Sequence, residues 1–175
     1  VVIVTGAGGG LGKAHSLEFA RRGAKVVVND LGGSGDGVGS SDMADIVVEE
    51  ITQAGGTAIA NKASVATMEG AQSIIDDAVS AFGTVDILIN NAGVSAWSSV
   101  VETDYDVYER VMKLNYLSIV KLTKSILPNM IKKKSGQIVT NTSLLGILAI
   151  KNRSVYAASK HAMHGFMNVL RAEMY

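Results

Sequence analysis

Five short runs of mostly β-branched and other apolar residues alternate along the chain with longer segments whose apolar positions recur at helical spacing. Most of the short runs are apolar at consecutive positions, which predicts strands that are covered on both faces of a parallel sheet. The predicted strands cover residues 1–5, 25–30, 57–62, 85–90 and 136–143. The predicted helices cover residues 11–22, 41–54, 68–82, 103–133 and 155–175.

Glycine marks the ends of several predicted helices, as it often does where a helix stops in the left-handed conformation. These glycines are Gly23, Gly55, Gly83 and Gly136. The alternation of strand and helix predicts an α/β fold with a doubly wound parallel sheet. A chain of 175 residues is long enough for one domain with a sizeable core, so we expect a single domain over residues 1–175.

The composition narrows the classes of function. Hydrophobic residues make up 47% of the chain, as in ordinary globular proteins. Sixteen basic and sixteen acidic side chains give no net charge, which argues against a nucleic acid as the partner. Cysteine is absent, and His15, His161 and His164 are not accompanied by other potential ligands at the spacing of a metal-binding motif. We therefore predict no metal site.

The sequence says little about the compartment. No apolar run approaches the length of about 20 residues that a membrane-spanning helix needs. The chain opens with VVIVTG, without Met and without the charged start of a signal peptide, and we interpret this start as trimmed. A soluble intracellular protein, either cytoplasmic or peroxisomal, is the expectation.

A glycine-rich turn, TGAGGGLG, follows the first predicted strand and opens the first predicted helix. Glycine lets the backbone approach a pyrophosphate, and the start of a helix supplies free N–H groups and a positive dipole end. The spacing fits T-G-x-x-x-G-x-G through Gly6, Gly10 and Gly12. The spacing G-x-G-x-x-G fails because Leu11 occupies its third position. The turn predicts a dinucleotide-binding site.

Asp30 ends the second predicted strand, where a carboxylate can accept hydrogen bonds from an adenosine ribose and repel a 2′-phosphate. Gly9 provides no cation for such a phosphate, so both positions favour NAD over NADP. Lys13 lies nearby and argues in the other direction. Residues 31–42, with five glycines, predict a surface loop that either is simply mobile or flanks the adenosine end of the ligand.

Four further motifs follow the glycine-rich turn in the order and register of one known family. They are NNAG at residues 90–93, Asn115, Ser143 and YAASK at residues 156–160. With them the chain resembles the short-chain dehydrogenases/reductases from residue 1 to residue 175. The resemblance implies a three-layer α/β/α fold of Rossmann type and an enzyme that interconverts alcohols and ketones by hydride transfer with a nicotinamide dinucleotide. Asp30 and Gly9 make NAD, rather than NADP, the expected cofactor.

The resemblance also assigns site residues. The implied catalytic residues are Asn115, Ser143, Tyr156 and Lys160. The implied cofactor-binding residues are Gly6, Gly10, Leu11, Gly12, Asp30, Ser64, Val65, Asn91, Ala92, Gly93, Tyr156 and Lys160. Asn91 is expected to brace the central strands rather than to contact the substrate, while its loop lets the adenosine approach the sheet edge.

Tyr156 and Lys160 lie four positions apart, which places both side chains on one face of the last predicted helix. A phenol is a weak base at neutral pH, and the Lys160 ammonium and the positive ring of an oxidised nicotinamide would both stabilise its phenolate. Tyr156 would then move the alcohol proton while hydride passes to or from the cofactor. By resemblance, Lys160 also binds the nicotinamide ribose.

Ser143 closes the fifth predicted strand, at the carboxyl edge where open α/β sheets bind ligands. Its hydroxyl is expected to hydrogen-bond the substrate oxygen, although a serine at a strand end is more often a turn residue. By resemblance, the backbone carbonyl of Asn115 and a water link Lys160 to solvent. The alternative for Asn115 is a solvent-facing asparagine within the helix.

Two parts of the chain resemble different branches of the family. Residues 26–45 resemble the (3R)-hydroxyacyl-CoA dehydrogenase domains of peroxisomal multifunctional enzymes, and residues 114–147 resemble microsomal reductases of steroids and retinoids. The substrate therefore stays open among these apolar classes. Ala63 stands where the family commonly carries a carboxylate, just before Ser64, which weakens the expected affinity for the cofactor.

Two classes of function remain open. The leading hypothesis is an NAD-dependent oxidoreductase that acts on an apolar alcohol or ketone. The alternative is a dinucleotide-binding module without turnover, a sensor or an assembly subunit. A sugar-nucleotide epimerase shares Tyr-x-x-x-Lys, but Ser143 and NNAG argue against it.

The family continues with two more strands and a lobe that covers the substrate. We therefore expect residues 1–175 to form a fragment that lacks these parts, with the fifth strand as an edge of the sheet. Family members pair through their fifth and sixth helices, which correspond to the last two predicted helices here. The resemblance thus implies a homo-oligomer.

Overall fold

The computed structural model describes residues 1–33 and 41–174, so residues 34–40 of the predicted glycine-rich loop lie outside the described residues. The strands are β1 Val2–Thr5, β2 Lys25–Asn29, β3 Thr57–Asn61, β4 Ile87–Asn90 and β5 Gln137–Thr140. The helices are α1 Gly10–Arg21, α2 Met43–Gln53, α3 Met68–Phe82, α4 Tyr105–Met112, α5 Ser118–Lys133 and α6 Ser154–Met174. All strand pairs are parallel, in the order β3-β2-β1-β4-β5, which confirms the predicted doubly wound sheet.

Alternate residues of the central strands pack into two cores, one on each face of the sheet. Val2 and Val4 of β1 pack with residues of α1 and α2, including Ile51. Ile3 points to the opposite face and packs with residues of α3 and α5, including Ile74. Because all three β1 side chains are almost fully buried, the strand needs apolar residues at consecutive positions.

The helix predicted over residues 103–133 contains a feature that its sequence did not indicate. α4 continues into a π-helical turn, Lys113–Leu117, which continues into α5. The backbone remains right-handed and helical at both junctions. A π-turn adds one residue to a helical turn, and such turns frequently lie at functional sites. This one contains Asn115.

The fifth strand is shorter than predicted. β4 pairs with β5 only as far as Thr140, so the residues that follow have no strand partner in the ladder. Ser143 instead precedes a short 3₁₀ turn, Leu144–Gly146. The prediction that Ser143 closes the strand is therefore wrong, because the ladder ends three residues earlier.

β5 lies at one edge of the sheet, as expected, and a groove of about 650 Å³ runs beside it. Its walls include Met130, Ile138 and Met167. None of its lining residues belongs to the predicted site, although this groove is larger than the cavity beside the glycine-rich turn. Cofactor binding and catalysis depend on which hydrogen-bond donors and acceptors line a cavity rather than on its volume. The candidate site is therefore the smaller cavity beside the glycine-rich turn, which the predicted residues line.

Candidate active site

A cavity of about 260 Å³ opens beyond the carboxyl ends of β1, β2, β3 and β4, the edge where open α/β sheets bind ligands. Seven of the predicted cofactor-binding residues line it: Gly6, Asp30, Ser64, Val65, Asn91, Ala92 and Gly93. Leu31 and Leu114, which the sequence did not single out, add apolar walls. The enclosed volume is below the roughly 300–1,000 Å³ of typical ligand pockets, so it suits only part of a dinucleotide.

Gly10, Leu11 and Gly12 lie at the start of α1 rather than in the cavity wall, which includes Gly6 and Gly9 of the same turn. Gly6 and Gly10 have φ values of 61° and 51°, in the left-handed region that favours glycine. At Gly12, a Cβ would lie 2.2 Å from the carbonyl oxygen of Gly6. Leu11 is exposed, and Gly9, the residue before α1, has no side chain that could cap the helix. The first N–H groups of α1 are thus available to an anion such as a pyrophosphate.

Asp30 joins the glycine-rich turn to the segment that follows β2. Its Oδ2 accepts a hydrogen bond from the backbone N–H of Gly8, and its Oδ1 accepts one from Gly32, both at 2.7 Å. The carboxylate also lines the cavity. Since each carboxylate oxygen has a second lone pair, Asp30 can hold both segments and still accept hydrogen bonds from ribose hydroxyls.

Lys13 of α1 and Lys62, which follows β3, are both paired with carboxylates. Lys13 Nζ lies 2.5 Å from Glu50 Oε2. Lys62 Nζ lies 2.7 Å from Asp42 Oδ1 and 2.6 Å from Asp45 Oδ2, and the hydrogen bonds that it donates to these two carboxylates raise the pKa of Lys62 to about 12. The position of Lys13 in the sequence favoured NADP, but its ammonium is already paired with Glu50 in the structure.

Asn91 braces the central strands. Its Nδ2 donates hydrogen bonds to the backbone carbonyls of Thr5 and Gly6, both at 2.9 Å, and its Oδ1 accepts one from Asn141 Nδ2 at 2.9 Å. Thr5 Oγ1 accepts hydrogen bonds from the backbone N–H groups of Asn91 and Ala92. These contacts fix the loop after β4 against the glycine-rich turn.

Asn115 is fully buried, so its interpretation as a solvent-facing asparagine is wrong. The π-turn directs its side chain to the loop after β4, where Oδ1 accepts a hydrogen bond from Val94 N at 2.8 Å. Nδ2 donates to the carbonyl of Val94 at 2.9 Å and to Ser159 Oγ at 3.0 Å. The side chain thus connects the long helix, the loop and α6.

Tyr156 and Lys160 lie together in the first half of α6. The Nζ of Lys160 is 5.5 Å from the centre of the Tyr156 ring and donates a hydrogen bond to the carbonyl of Asn141 at 3.0 Å. Within residues 1–33 and 41–174, no carboxylate pairs with Lys160. Burial lowers the pKa of Lys160, because desolvation penalises its charged form.

Ser143 presents its hydroxyl at the start of the turn after β5. Its Oγ accepts a hydrogen bond from Leu145 N at 3.2 Å, which leaves the hydroxyl proton available to a substrate oxygen. In the described part of the chain, the hydroxyls of Ser143 and Tyr156 do not hydrogen-bond each other. The structure therefore places Ser143 near the carboxyl edge but does not join it directly to Tyr156.

Two supporting residues were missed in the sequence. Asn141 connects Lys160 to Asn91 through its carbonyl and its side chain. Ser159 accepts a hydrogen bond from Asn115 and donates one to the carbonyl of Tyr156 at 2.7 Å. A signal was present for each, since Asn141 lies two residues before Ser143 and Ser159 lies inside YAASK.

Two features are absent from the described residues. No group of three or more histidine, aspartate or glutamate side chains in residues 1–33 and 41–174 is arranged to hold a metal ion. In the same ranges, no helix combines the length and the apolar character that crossing a membrane requires.

Comparison with known proteins decides the family. A family model described as short chain dehydrogenase matches residues 1–175. The chain belongs to the short-chain dehydrogenase family. This confirms the resemblance drawn from the motifs, and with it membership of a family of oxidoreductases that use nicotinamide dinucleotides.

Relatives of this short-chain dehydrogenase come from both branches that the sequence resembled. Peroxisomal multifunctional enzyme A of Dictyostelium discoideum is 46% identical over an alignment of 177 positions, which covers 99% of this chain and 39% of that protein. Dehydrogenase/reductase SDR family member 7B of Rattus norvegicus is 39% identical over an alignment of 186 positions, which covers 99% of this chain and 53% of that protein. The chain thus spans about half the length of these relatives or less.

Solved structures of the family have the same fold. A short chain dehydrogenase from Mycobacterium avium matches with a TM-score of 0.90 and 35% identity, over 99% of this chain and 62% of that chain. A 7α-hydroxysteroid dehydrogenase, complexed with NADH and 7-oxo glycochenodeoxycholic acid, matches with a TM-score of 0.88 and 35% identity. That match covers 99% of this chain and 66% of the other.

Proposed function

We propose that residues 1–175 form a single NAD-binding domain of an oxidoreductase that interconverts a secondary alcohol and a ketone on an apolar substrate. The observation that carries the proposal is the buried Lys160 ammonium beside the Tyr156 ring, on the same edge of the sheet as the cavity. The relatives add support, because one solved neighbour is a hydroxysteroid dehydrogenase. The substrate classes proposed are 3-hydroxyacyl-CoA, steroid and retinoid.

In this proposal each side chain has a separate task. Tyr156 gives its phenolic proton to the carbonyl oxygen during reduction and takes it back during oxidation. The ammonium of Lys160, which lies 5.5 Å from the centre of the Tyr156 ring, stabilises the phenolate, because partial burial reduces the screening between the two charges. Ser143 donates a hydrogen bond to the same substrate oxygen. The nicotinamide, when bound, supplies or accepts the hydride.

We propose NAD rather than NADP as the cofactor. Asp30 lines the cavity with a carboxylate that would repel a 2′-phosphate. Gly9 has no side chain to bind one, and Lys13 and Lys62 are held by carboxylates. The cavity wall, the uncapped start of α1 and the glycines of the turn all suit a dinucleotide.

Titration with NAD and NADP, followed by calorimetry, tests the cofactor proposal. We expect saturable binding that favours NAD, and we expect Asp30→Asn to lose most of that preference because the charge is removed. Asn retains one acceptor for the N–H groups that Asp30 now binds, so the turn is conserved better than in Asp30→Ala. Asp76→Asn, an exposed carboxylate on α3, is the control and should leave the preference unchanged. Equal affinity of the parent chain for NAD and NADP would contradict the proposal.

We also propose that the chain forms a homo-oligomer through its fifth and sixth helices. The fifth of these helices consists here of α4, the π-turn and α5, and it carries a surface recess lined by Tyr105, Met112 and Leu117, whose apolar atoms would be covered in such a pair. Light scattering in solution is expected to give the mass of a dimer or larger. A monomeric mass at high protein concentration would contradict this part of the proposal.

The compartment that we propose is intracellular, either the peroxisome or the cytoplasm. Relatives named as peroxisomal enzymes support the first choice, with identities of 46% and 44% to the proteins of Dictyostelium discoideum and Drosophila melanogaster.

A further inference from the structure

Arg153 precedes α6 and ties its start to the loop after β4. Its Cζ lies 4.1 Å from the centre of the Trp97 ring and 5.7 Å from the centre of the Tyr156 ring. Its Nη1 donates hydrogen bonds to Ser95 Oγ and to the carbonyl of Ala96. These contacts place a guanidinium next to the proposed proton donor and stack it on an aromatic ring.

The other edge of this guanidinium has no partner among the described residues. Within residues 1–33 and 41–174, neither Nε nor Nη2 of Arg153 donates a hydrogen bond, and no carboxylate forms an ion pair with it. Arg21 and Arg22 both bind Glu18, whereas Arg110 and Arg171, like Arg153, have no ion pair among the described residues. Nε and Nη2 together form the edge of a guanidinium that binds a carboxylate through two parallel hydrogen bonds.

Exposed apolar side chains lie beside Arg153 and on the turn after β5. Trp97, whose ring stacks on the Arg153 guanidinium, is 65% exposed. Leu144 and Ile147 of the turn after β5 are 64% and 69% exposed. This turn packs against α6, because a Cβ added at Gly146 would be 2.5 Å from the ring of His164. Apolar side chains exposed near a polar site are typical of a binding surface.

We infer that the substrate is an apolar ketone or secondary alcohol that carries a carboxylate, and that Arg153 binds this carboxylate. The inference rests on the proposed function and narrows its substrate. One guanidinium with one available edge matches the single charge of a carboxylate better than the double charge of a phosphate. A neutral ketone would cover the apolar surface but would leave the cation without a partner.

Calorimetry on the NADH-saturated chain tests this inference with ketones offered in pairs, each as the free acid and as its methyl ester. Levulinic acid and 7-oxo glycochenodeoxycholic acid provide a short and a long skeleton. We expect at least one acid to bind about tenfold more tightly than its ester, the range of a charge-assisted hydrogen bond. Arg153→Gln should remove this preference, and Arg153→Lys should retain part of it.

Lys151→Gln is the matched control, because it removes an exposed positive charge two residues away and should leave the preference intact. If Arg153 only braces the loop, Arg153→Gln will lower the melting temperature and weaken acid and ester equally, which overturns the inference. A lack of preference for the acid in every pair, including a lack of binding, also overturns it. Failure to bind NADH at all would instead contradict the proposed function.

Discussion

Replacing Tyr156 with Phe is expected to slow ketone reduction by about 10²–10⁴-fold, the usual contribution of a positioned general acid. The change removes only the phenolic hydroxyl. The ring keeps its place beside Lys160 and Arg153, so the affinity for NADH should not change. Initial rates of NADH oxidation, measured with a ketone that the parent chain reduces, check this expectation.

Tyr105→Phe provides the control for this change. Tyr105 begins α4 and is 78% exposed, so the loss of its hydroxyl should leave the rate unchanged. An undiminished rate in Tyr156→Phe would show that the proton comes from another group. If the parent chain binds NADH but reduces no ketone, the alternative of a dinucleotide-binding module is favoured instead.

Replacing Asn115 with Ala is expected to lower the free energy of unfolding by about 2–4 kcal/mol. The buried side chain makes three hydrogen bonds, to both backbone groups of Val94 and to Ser159. Removing it leaves buried donors and acceptors unsatisfied, at about 1–3 kcal/mol for each such group, with partial relaxation. Urea denaturation followed by circular dichroism measures the loss.

Asn129→Ala is the matched control, because Asn129 is an exposed asparagine on α5. Its replacement should change stability by less than about 0.5 kcal/mol. Equal stabilities for the two variants would show that the Asn115 contacts contribute little. A large loss for Asn115→Ala would mean that any decrease in activity of this variant reports on the loop after β4 as well as on a proton relay.

Much of the fold could be predicted because its signals are local. The apolar run of β1 follows from burial on both faces of the sheet, and α3 was predicted with the bounds that it has, Met68–Phe82. The early end of β5 was not predictable, because it depends on where β4 stops pairing. The π-turn left no signal in the sequence, since one added residue barely alters the spacing of apolar positions.

The residues of the candidate site also differ in how far the sequence could predict them. Gly6 and Asp30 could be placed because each follows a strand whose end faces the ligand edge. The surroundings of Asn115 could not, because its partners are 21 and 44 residues away along the chain. The surroundings of Arg153 were equally unpredictable from the sequence, since its position beside Tyr156 follows from how the loop after β4 meets the start of α6.

The π-turn allows the long helix to hold one extra residue without changing which face of α5 meets the core. An extra residue in a regular α-helix would rotate everything after it by about 100°, whereas a π-turn takes up that residue within one wider turn. Deleting one residue from Lys113–Leu117 is therefore expected to restore an ordinary α-helix and to leave Leu122 and Ile126 buried. The loss would fall on Asn115, whose hydrogen bonds to Val94 and Ser159 depend on the direction that the π-turn gives its side chain. The shortened chain is thus expected to fold but to lose the connection between this helix, the loop after β4 and α6.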